Sequence, residues 1–343
     1  MKTLILYLIA TFVYVLTLNS CQDSELYESN EIFEPKAISS TTESTPPYRI
    51  SNPIVRDGVK NKTISYLEIS NPEGYCIKLS NCSNILIQYC KLGPSKKEGV
   101  YLYNCSNITV TYCSMENIST GVSAVESTGI KVTYNDVRNV HGPFPRGQMI
   151  QFDAVNGRGN SICYNVCENI LGQSNPEDAI SLFKSNGTAT DPIKVIGNQI
   201  RGGGPSLSGG GIIAGDYGGS YIVVDSNTLV NPGQYGIAIT SGHHITIRNN
   251  KIYAKKQPFT FWGLMAYRQY PISTYSNTIM NNEVNFKNKD GLLRNMWNDG
   301  KSGDIFGWNS NTYNPNLTDS ILPADIIGKA RKVAIELKTQ QNK

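Results

Sequence analysis

Short alternating apolar runs recur along most of this chain, each closed by asparagine or cysteine. Cys82-Ser83-Asn84-Ile85-Leu86-Ile87-Gln88-Tyr89-Cys90 aligns with Cys105-Ser106-Asn107-Ile108-Thr109-Val110-Thr111-Tyr112-Cys113, 23 residues later. Thr128-Gly129-Ile130-Lys131-Val132-Thr133-Tyr134-Asn135 follows at a step of 22, and the unit returns at 161–165, 193–198, 222–227, 244–250 and 278–282. A second series lies upstream in each unit, as in Gly99-Val100-Tyr101-Leu102-Tyr103 and Gln148-Met149-Ile150-Gln151-Phe152, and runs through 263–266. Alternation of period two sends one set of side chains inward and the next outward. Asparagine tolerates left-handed backbone and hydrogen-bonds its neighbours, which suits a turn repeated in register.

Two or three short strands per step of 22 or 23 residues predict a β-solenoid, in which each coil buries its inner side only by stacking on the next. A propeller would need four strands per blade and a longer period, and the leucine signature of a leucine-rich repeat is absent. The repeats of Gly-x-x-Ile/Val-x-Leu followed by Asn-Ile-x-Ile-x-x-Cys/Asn resemble the right-handed parallel β-helix repeats of the pectate-lyase-like superfamily, over roughly residues 54 to 290. The expected fold is therefore all-β, a single-stranded right-handed parallel β-helix of at least seven coils with no second globular domain. Residues 54–69 are expected to cover the first coil. Ile326, Ile327, Ala330, Val333, Ala334 and Leu337 fall at helical spacing, and Lys329, Arg331, Lys332 and Lys338 suit a helix C-terminus. A C-terminal capping helix over about 322–340 is expected.

The N-terminus departs from this pattern. After Lys2, residues 4–18 are apolar apart from Thr11 and Thr17, too short a run to span a bilayer comfortably and suited to a signal peptide. Leu18-Asn19-Ser20-Cys21 resembles the bacterial lipobox, which implies cleavage after residue 20 and lipidation of Cys21. The stretch to residue 50, with Ser39-Ser40-Thr41-Thr42-Glu43-Ser44-Thr45-Pro46-Pro47, is too polar to fold alone and reads as a tether. The expected organisation is signal peptide 1–20, tether 21–50 and β-helix domain 51–343. The expected localisation is export with a lipid anchor, at the cell surface or in the periplasm.

Composition narrows the partners. Thirty-one basic against 27 acidic residues give a net charge of +4, without the concentrated basic stripe of a nucleic-acid binder. A monomer acting on polysaccharide is expected. Of eight cysteines, Cys82 and Cys105 share one repeat position and Cys90 and Cys113 another. No zinc-type spacing appears. Exact periodicity favours stacked buried thiols over disulfides.

The middle of the chain breaks the step. Tyr134 to Tyr164 is 30 residues, Asn165 to Asn198 is 33 and Asn198 to Asn227 is 29. Insertions in a solenoid become loops that wall a groove. Three such segments stand out, around Arg146, around Glu177-Asp178, and the glycine-rich stretch from 201 to 219. The last matches no phosphate loop, and close coil-to-coil contact explains its glycines. Outward positions of the second series give Gln151, Asp153, Ser181 and Phe183, followed by Lys184. Nearby loops add Tyr217, Tyr235, His243, His244, Tyr267 and Arg268 to a polar and aromatic wall of the kind that binds sugars. Adjacent residues of an extended chain point opposite ways, so His243 and His244 are not expected to face one site.

Three functions fit that wall. The superfamily resemblance implies polysaccharide lyases, polygalacturonase-type hydrolases and epimerases, with non-enzymatic members besides. The reading placed first is a polysaccharide lyase acting on a uronic-acid polymer by β-elimination, which needs a cation or Ca²⁺ on the carboxylate and a base. Arg146, Lys184, His243 and Tyr217 offer cations and bases. Glu177, Asp178 and Asp216 offer oxygen ligands for Ca²⁺. The first alternative is a glycoside hydrolase using paired carboxylates drawn from Glu177, Asp178, Asp153 and Asp216. Glu177-Asp178-Ala179-Ile180 resembles the acidic pair before an apolar strand in polygalacturonases. The first acid here is Glu, however, and that family's Gly-His-Gly and Arg-Ile-Lys motifs are missing. The second alternative is a non-catalytic glycan- or matrix-binding protein. The candidate catalytic set is Arg146, Glu177, Asp178, Lys184 and Asp216. The candidate binding set is Gln151, Asp153, Tyr217, Tyr235, His243, Tyr267 and Arg268.

Overall fold

The computed structural model describes residues 48–142 and 147–328. Cys21, the expected tether up to Pro47, Arg146 and the expected cap beyond Gly328 lie outside the described residues. Three parallel sheets of eleven, ten and eleven strands run the length of the domain, and consecutive strands of the chain visit them in rotation. The molecule is thus a parallel β-helix of about ten coils. Register is kept throughout: Ile77 pairs with Val100, Val100 with Val122, and Val122 with Ile150. Alternation drives the packing. In Ile77–Ser80 the isoleucine and leucine are buried while Lys78 and Ser80 face outward. The inward Ile, Val, Leu and Cys side chains of successive coils join into one continuous core.

Two of the three sheets correspond to the two strand series of the sequence. The third, including Ser114–Ile118 and Asp136–Val140, follows each asparagine or cysteine turn. Residues 54–69 do not cover the first coil but form it, since Ile54 pairs with Ile77 and Lys62 with Ile85. The ladder also runs past residue 290, to Thr312–Tyr313.

The repeated turns hold ladders of identical side chains. Asn135, Asn165, Asn198, Asn227, Asn250, Asn282 and Asn311 stack, each of the first six donating from Nδ2 to Oδ1 of the next at 2.7–3.1 Å. Each Oδ1 also accepts the backbone N–H of the preceding ladder residue, for example Asn198 N to Asn227 at 2.9 Å. Cys90 and Cys113 occupy the same place in earlier coils, where the Cys113 amide donates to Asn135 Oδ1. Both are buried and outside any disulfide, as are Cys82 and Cys105. At the position before Leu67, Cys90, Cys113, Asn135 and Asn165, the residues Tyr66, Tyr89, Tyr112, Tyr134 and Tyr164 sit in left-handed backbone with centroids 5.1–5.3 Å apart.

The C-terminal segment corrects one expectation. Pro323–Gly328, the start of the expected capping helix, is bend and turn. Leu322 and Ile326 bury against Tyr134, Val166 and Val230 on the flank of the solenoid. Arg201 holds this segment by donating to the carbonyls of Leu322 and Ala324 at 2.9 and 2.8 Å. Its apolar residues find their cover along the side of the coils.

Candidate active site

The ten-stranded sheet carries the site on its outer face. Two outward rows run across it. One reads Lys78, Tyr101, Ser123, Gln151, Ser181 and Ile213, each paired with the next. The other reads Tyr103, Val125, Asp153, Phe183 and Asp216. Turns entering these strands raise one wall, with Gln148, Glu177, Asp178, Leu207, Ser208 and Gln234. Turns leaving them raise the other, with Tyr267, Gln269 and Tyr270. Between the walls lies a cleft of about 780 Å³.

Carboxyl groups line that cleft from both sides. Asp178 is the most deeply placed. Its Oδ1 accepts the Gly210 amide at 2.9 Å and the Tyr235 hydroxyl. Burial pushes its pKa up to about 7, with the negative charges of Glu177 and Asp216 adding to the rise and the two donors opposing it. With Oδ1 taken by two donors, the proton of the neutral acid belongs on Oδ2. The glycine-rich stretch makes this possible. A Cβ at Gly210 would lie 2.5 Å from the Tyr235 carbonyl oxygen, so only glycine brings that amide to the carboxyl.

Asp216 reaches the cleft through a β-bulge. Ser181 pairs with Ile213, but Phe183 pairs with Asp216, so one extra residue is accommodated between them. Gly215 takes φ +69° there, and a Cβ on it would stand 2.1 Å from the Ser241 carbonyl oxygen. Strict alternation from outward Ile213 would turn residue 216 inward; the bulge turns it out. Burial raises the pKa of Asp216, and Tyr270 and the Tyr217 amide donate to its carboxylate. Asp216 Oδ1 is nonetheless buried without a hydrogen-bond partner. Asp153 and Glu98, also in the lining, are likewise raised by burial.

The structure therefore gathers Glu177, Asp178 and Asp216 with Gln151, Asp153, Tyr235 and Tyr267 around one cleft. It does not bring the remaining described candidates to the lining. Lys184 takes left-handed backbone, φ 50°, and its ammonium lies 4.9 Å from the Phe183 ring centroid and 4.7 Å from that of Tyr217. Tyr217 backs the wall through Phe183 and Tyr270. Arg268 is exposed and donates its backbone amide to Asp299 at 2.9 Å. His243 stacks on Tyr275 at 4.6 Å. His243 and His244 do meet, Nδ1 to Nδ1 at 2.7 Å, because His244 adopts φ 55° instead of extended backbone. Burial and the neighbouring His244 lower the pKa of His243.

Several lining residues carried little signal in the sequence. Tyr101 is an outward position in its strand and could have been found by alternation. Glu98, Gln148, Gln234 and Tyr270 sit in turns, where no periodicity assigns a direction. Among the described residues the cleft is lined by no Lys, Arg or His. Among them, too, no three of His, Cys, Asp and Glu converge to hold a metal ion.

Residues 54–216 match a family described as a right handed beta helix region. No curated protein matches the chain by sequence. Among solved structures, the chain is similar to the catalytic domain of a GH87 α-1,3-glucanase in complex with nigerose, with TM-score 0.55 and 13% identity over 75% of this chain and 50% of that one. An aspartate-to-alanine variant of such a domain, also holding nigerose, aligns with TM-score 0.56 at the same identity and coverage. The chain spans about half the length of these structures. At that identity the likeness is one of fold: the chain is a right-handed parallel β-helix.

Proposed function

We propose that this right-handed parallel β-helix protein is an exported glycoside hydrolase that cuts a polysaccharide with Asp178 as general acid and Asp216 as general base. The observation that carries this is Asp178, a cleft carboxyl whose pKa is pushed up to about 7. Such a group keeps its proton where ordinary carboxyls have lost theirs, as a general acid requires. In the proposed step the Asp178 Oδ2 proton passes to the glycosidic oxygen as the bond to the anomeric carbon breaks. A water attacks that carbon and gives its proton to Asp216, whose buried Oδ1 has no other partner. Asp178 precedes the floor strand Ile180–Phe183 and Asp216 pairs with its far end. Along the strand the two positions are five residues apart, so the carboxyls reach the cleft from opposite ends of its floor and a glycosidic bond can lie between them.

Hydrolysis is favoured over β-elimination by the same lining. Asp153, Glu177 and Asp216 would repel a uronate carboxylate at the bond being cut, and no described cation in the lining would neutralise it. The solved structures of similar fold hold nigerose, so α-1,3-glucan is the first substrate to test. Lipidation at Cys21 would hold the enzyme at the membrane facing extracellular or periplasmic polysaccharide. Purified protein should release reducing ends from α-1,3-glucan, and Asp178→Asn should abolish the release. An unsaturated, ultraviolet-absorbing product from polygalacturonate, with no reducing ends from neutral glucans, would restore the lyase in its place.

A further inference from the structure

The cleft does not stop at the carboxylates. The outward row that forms its floor continues from Ser181 through Gln151, Ser123 and Tyr101 to Lys78, four strand spacings away, about 19 Å. There the character of the surface inverts. Tyr75 and Tyr101 lie with ring centroids 5.1 Å apart. Lys78 Nζ stands 5.4 and 5.9 Å from those two centroids, and Lys97 Nζ stands 4.8 Å from that of Tyr75. Among the described residues neither amine comes within salt-bridge distance of a carboxylate, although both favour the ionised form of the half-buried Glu98 in the cleft lining. Tyr101 belongs to this platform and to the lining of the cleft, so the two are continuous.

We infer that this platform is a second subsite of the same groove, which holds an anionic unit of the polysaccharide about four strand spacings from the bond being cut. The hydrolase reading above supplies the position of that bond; the binding claim itself stands on the platform. Two aromatic faces offer a surface for a pyranose ring, and two amines held over those rings present their remaining donors to a carboxylate or sulfate. The acidic centre repels such a substituent and the platform attracts it. A chain lying along the floor is therefore read in a fixed order, with a neutral unit at the acids and an anionic unit at the lysines.

The test is affinity electrophoresis of the full chain in gels containing polygalacturonate, dextran sulfate or unsubstituted dextran. The two anionic polymers separate carboxylate from sulfate recognition, and dextran is the neutral reference. The inference expects salt-sensitive retardation by at least one anionic polymer. In the Lys78→Ala/Lys97→Ala double variant that affinity should fall about tenfold or more, as for lost charge-assisted contacts, and Lys78→Arg/Lys97→Arg should restore it. Dextran mobility and the thermal melt should not change. Asp178→Asn should retain the anionic polymer as the parent does, whatever happens to hydrolysis, so failure of the subsite and failure of the catalytic reading are separate results. Equal retardation of parent and double alanine variant would overturn the subsite. So would lysine-dependent binding to phosphatidylglycerol vesicles with no retardation by either anionic polysaccharide, which would make the patch a membrane contact.

Discussion

Phe183 pairs with Asp216, although alternation from Ile213 would give that outward place to Gly215. The extra residue puts a carboxylate where the strand alone would have put none, and leaves its Oδ1 buried without a partner. A buried polar atom without a partner is uncommon in a group kept for structure alone, and Asp216 is one of the residues lining the cleft. Asp216→Asn should therefore lower kcat by about 100-fold or more, the scale of a lost acid–base group. Stability should not fall, since a buried, raised carboxylate is being neutralised. Activity assays beside a thermal melt check this. A variant that loses activity only in proportion to lost fold would remove Asp216 from the chemistry.

Asp178 sets a pH dependence whose sign follows from its raised pKa. As general acid it must be protonated, so kcat should decline as pH rises through about 7. Stability should move in the same direction. The unfolded aspartate releases its proton near pH 4 while the folded one holds it to about 7. The contribution is thus fully present below about 4 and is lost as pH rises to about 7. Asp178→Asn should remove both dependences. Tyr235→Phe deletes a donor that lowers the Asp178 pKa, so the alkaline limb of kcat should move upward in pH. A limb that stays in place in Tyr235→Phe would separate it from Asp178.

The solenoid was legible because its signals repeat. Ile85, Ile108 and Ile130 occupy one inward position in three successive coils, and each repetition reinforces the same assignment. The carboxylates beside the inserted coils were legible too, since Glu177 and Asp178 follow a break in the step. What could not be read was direction inside turns. Lys184 and His244 look like ordinary strand-end residues, yet left-handed backbone re-aims both. Asp216 needed a bulge, and a bulge is a property of pairing between strands. The C-terminal apolar residues were visible, but not the flank that buries them, because that contact spans over 120 residues.

The N-terminal proposal has its own test. Lipidation of Cys21 attaches acyl chains that hold a protein to a bilayer. Cys21→Ser should lose label from radioactive palmitate and move the protein from the membrane to the soluble fraction. Membrane association that survives in Cys21→Ser would dispose of the anchor.

The asparagine ladder yields the sharpest stability prediction, because its inner members are fully buried and each serves two neighbours. Asn227 Oδ1 accepts both the backbone N–H and Nδ2 of Asn198, at 2.9 Å each. Its own Nδ2 donates to the Val195 carbonyl and to Asn250 Oδ1, again at 2.9 Å. Alanine there leaves buried donors and acceptors on both sides without partners, each worth about 1–3 kcal/mol. Asn227→Ala should therefore destabilise the domain by roughly 3 kcal/mol or more. Asn311, at the end of the ladder, has ladder partners on one side only. Asn311→Ala should consequently cost distinctly less. Denaturant titration of both variants decides the matter. Equal losses, or a loss under about 1 kcal/mol at Asn227, would mean that water or relaxed neighbours replace the amide and that the ladder contributes order without net stability.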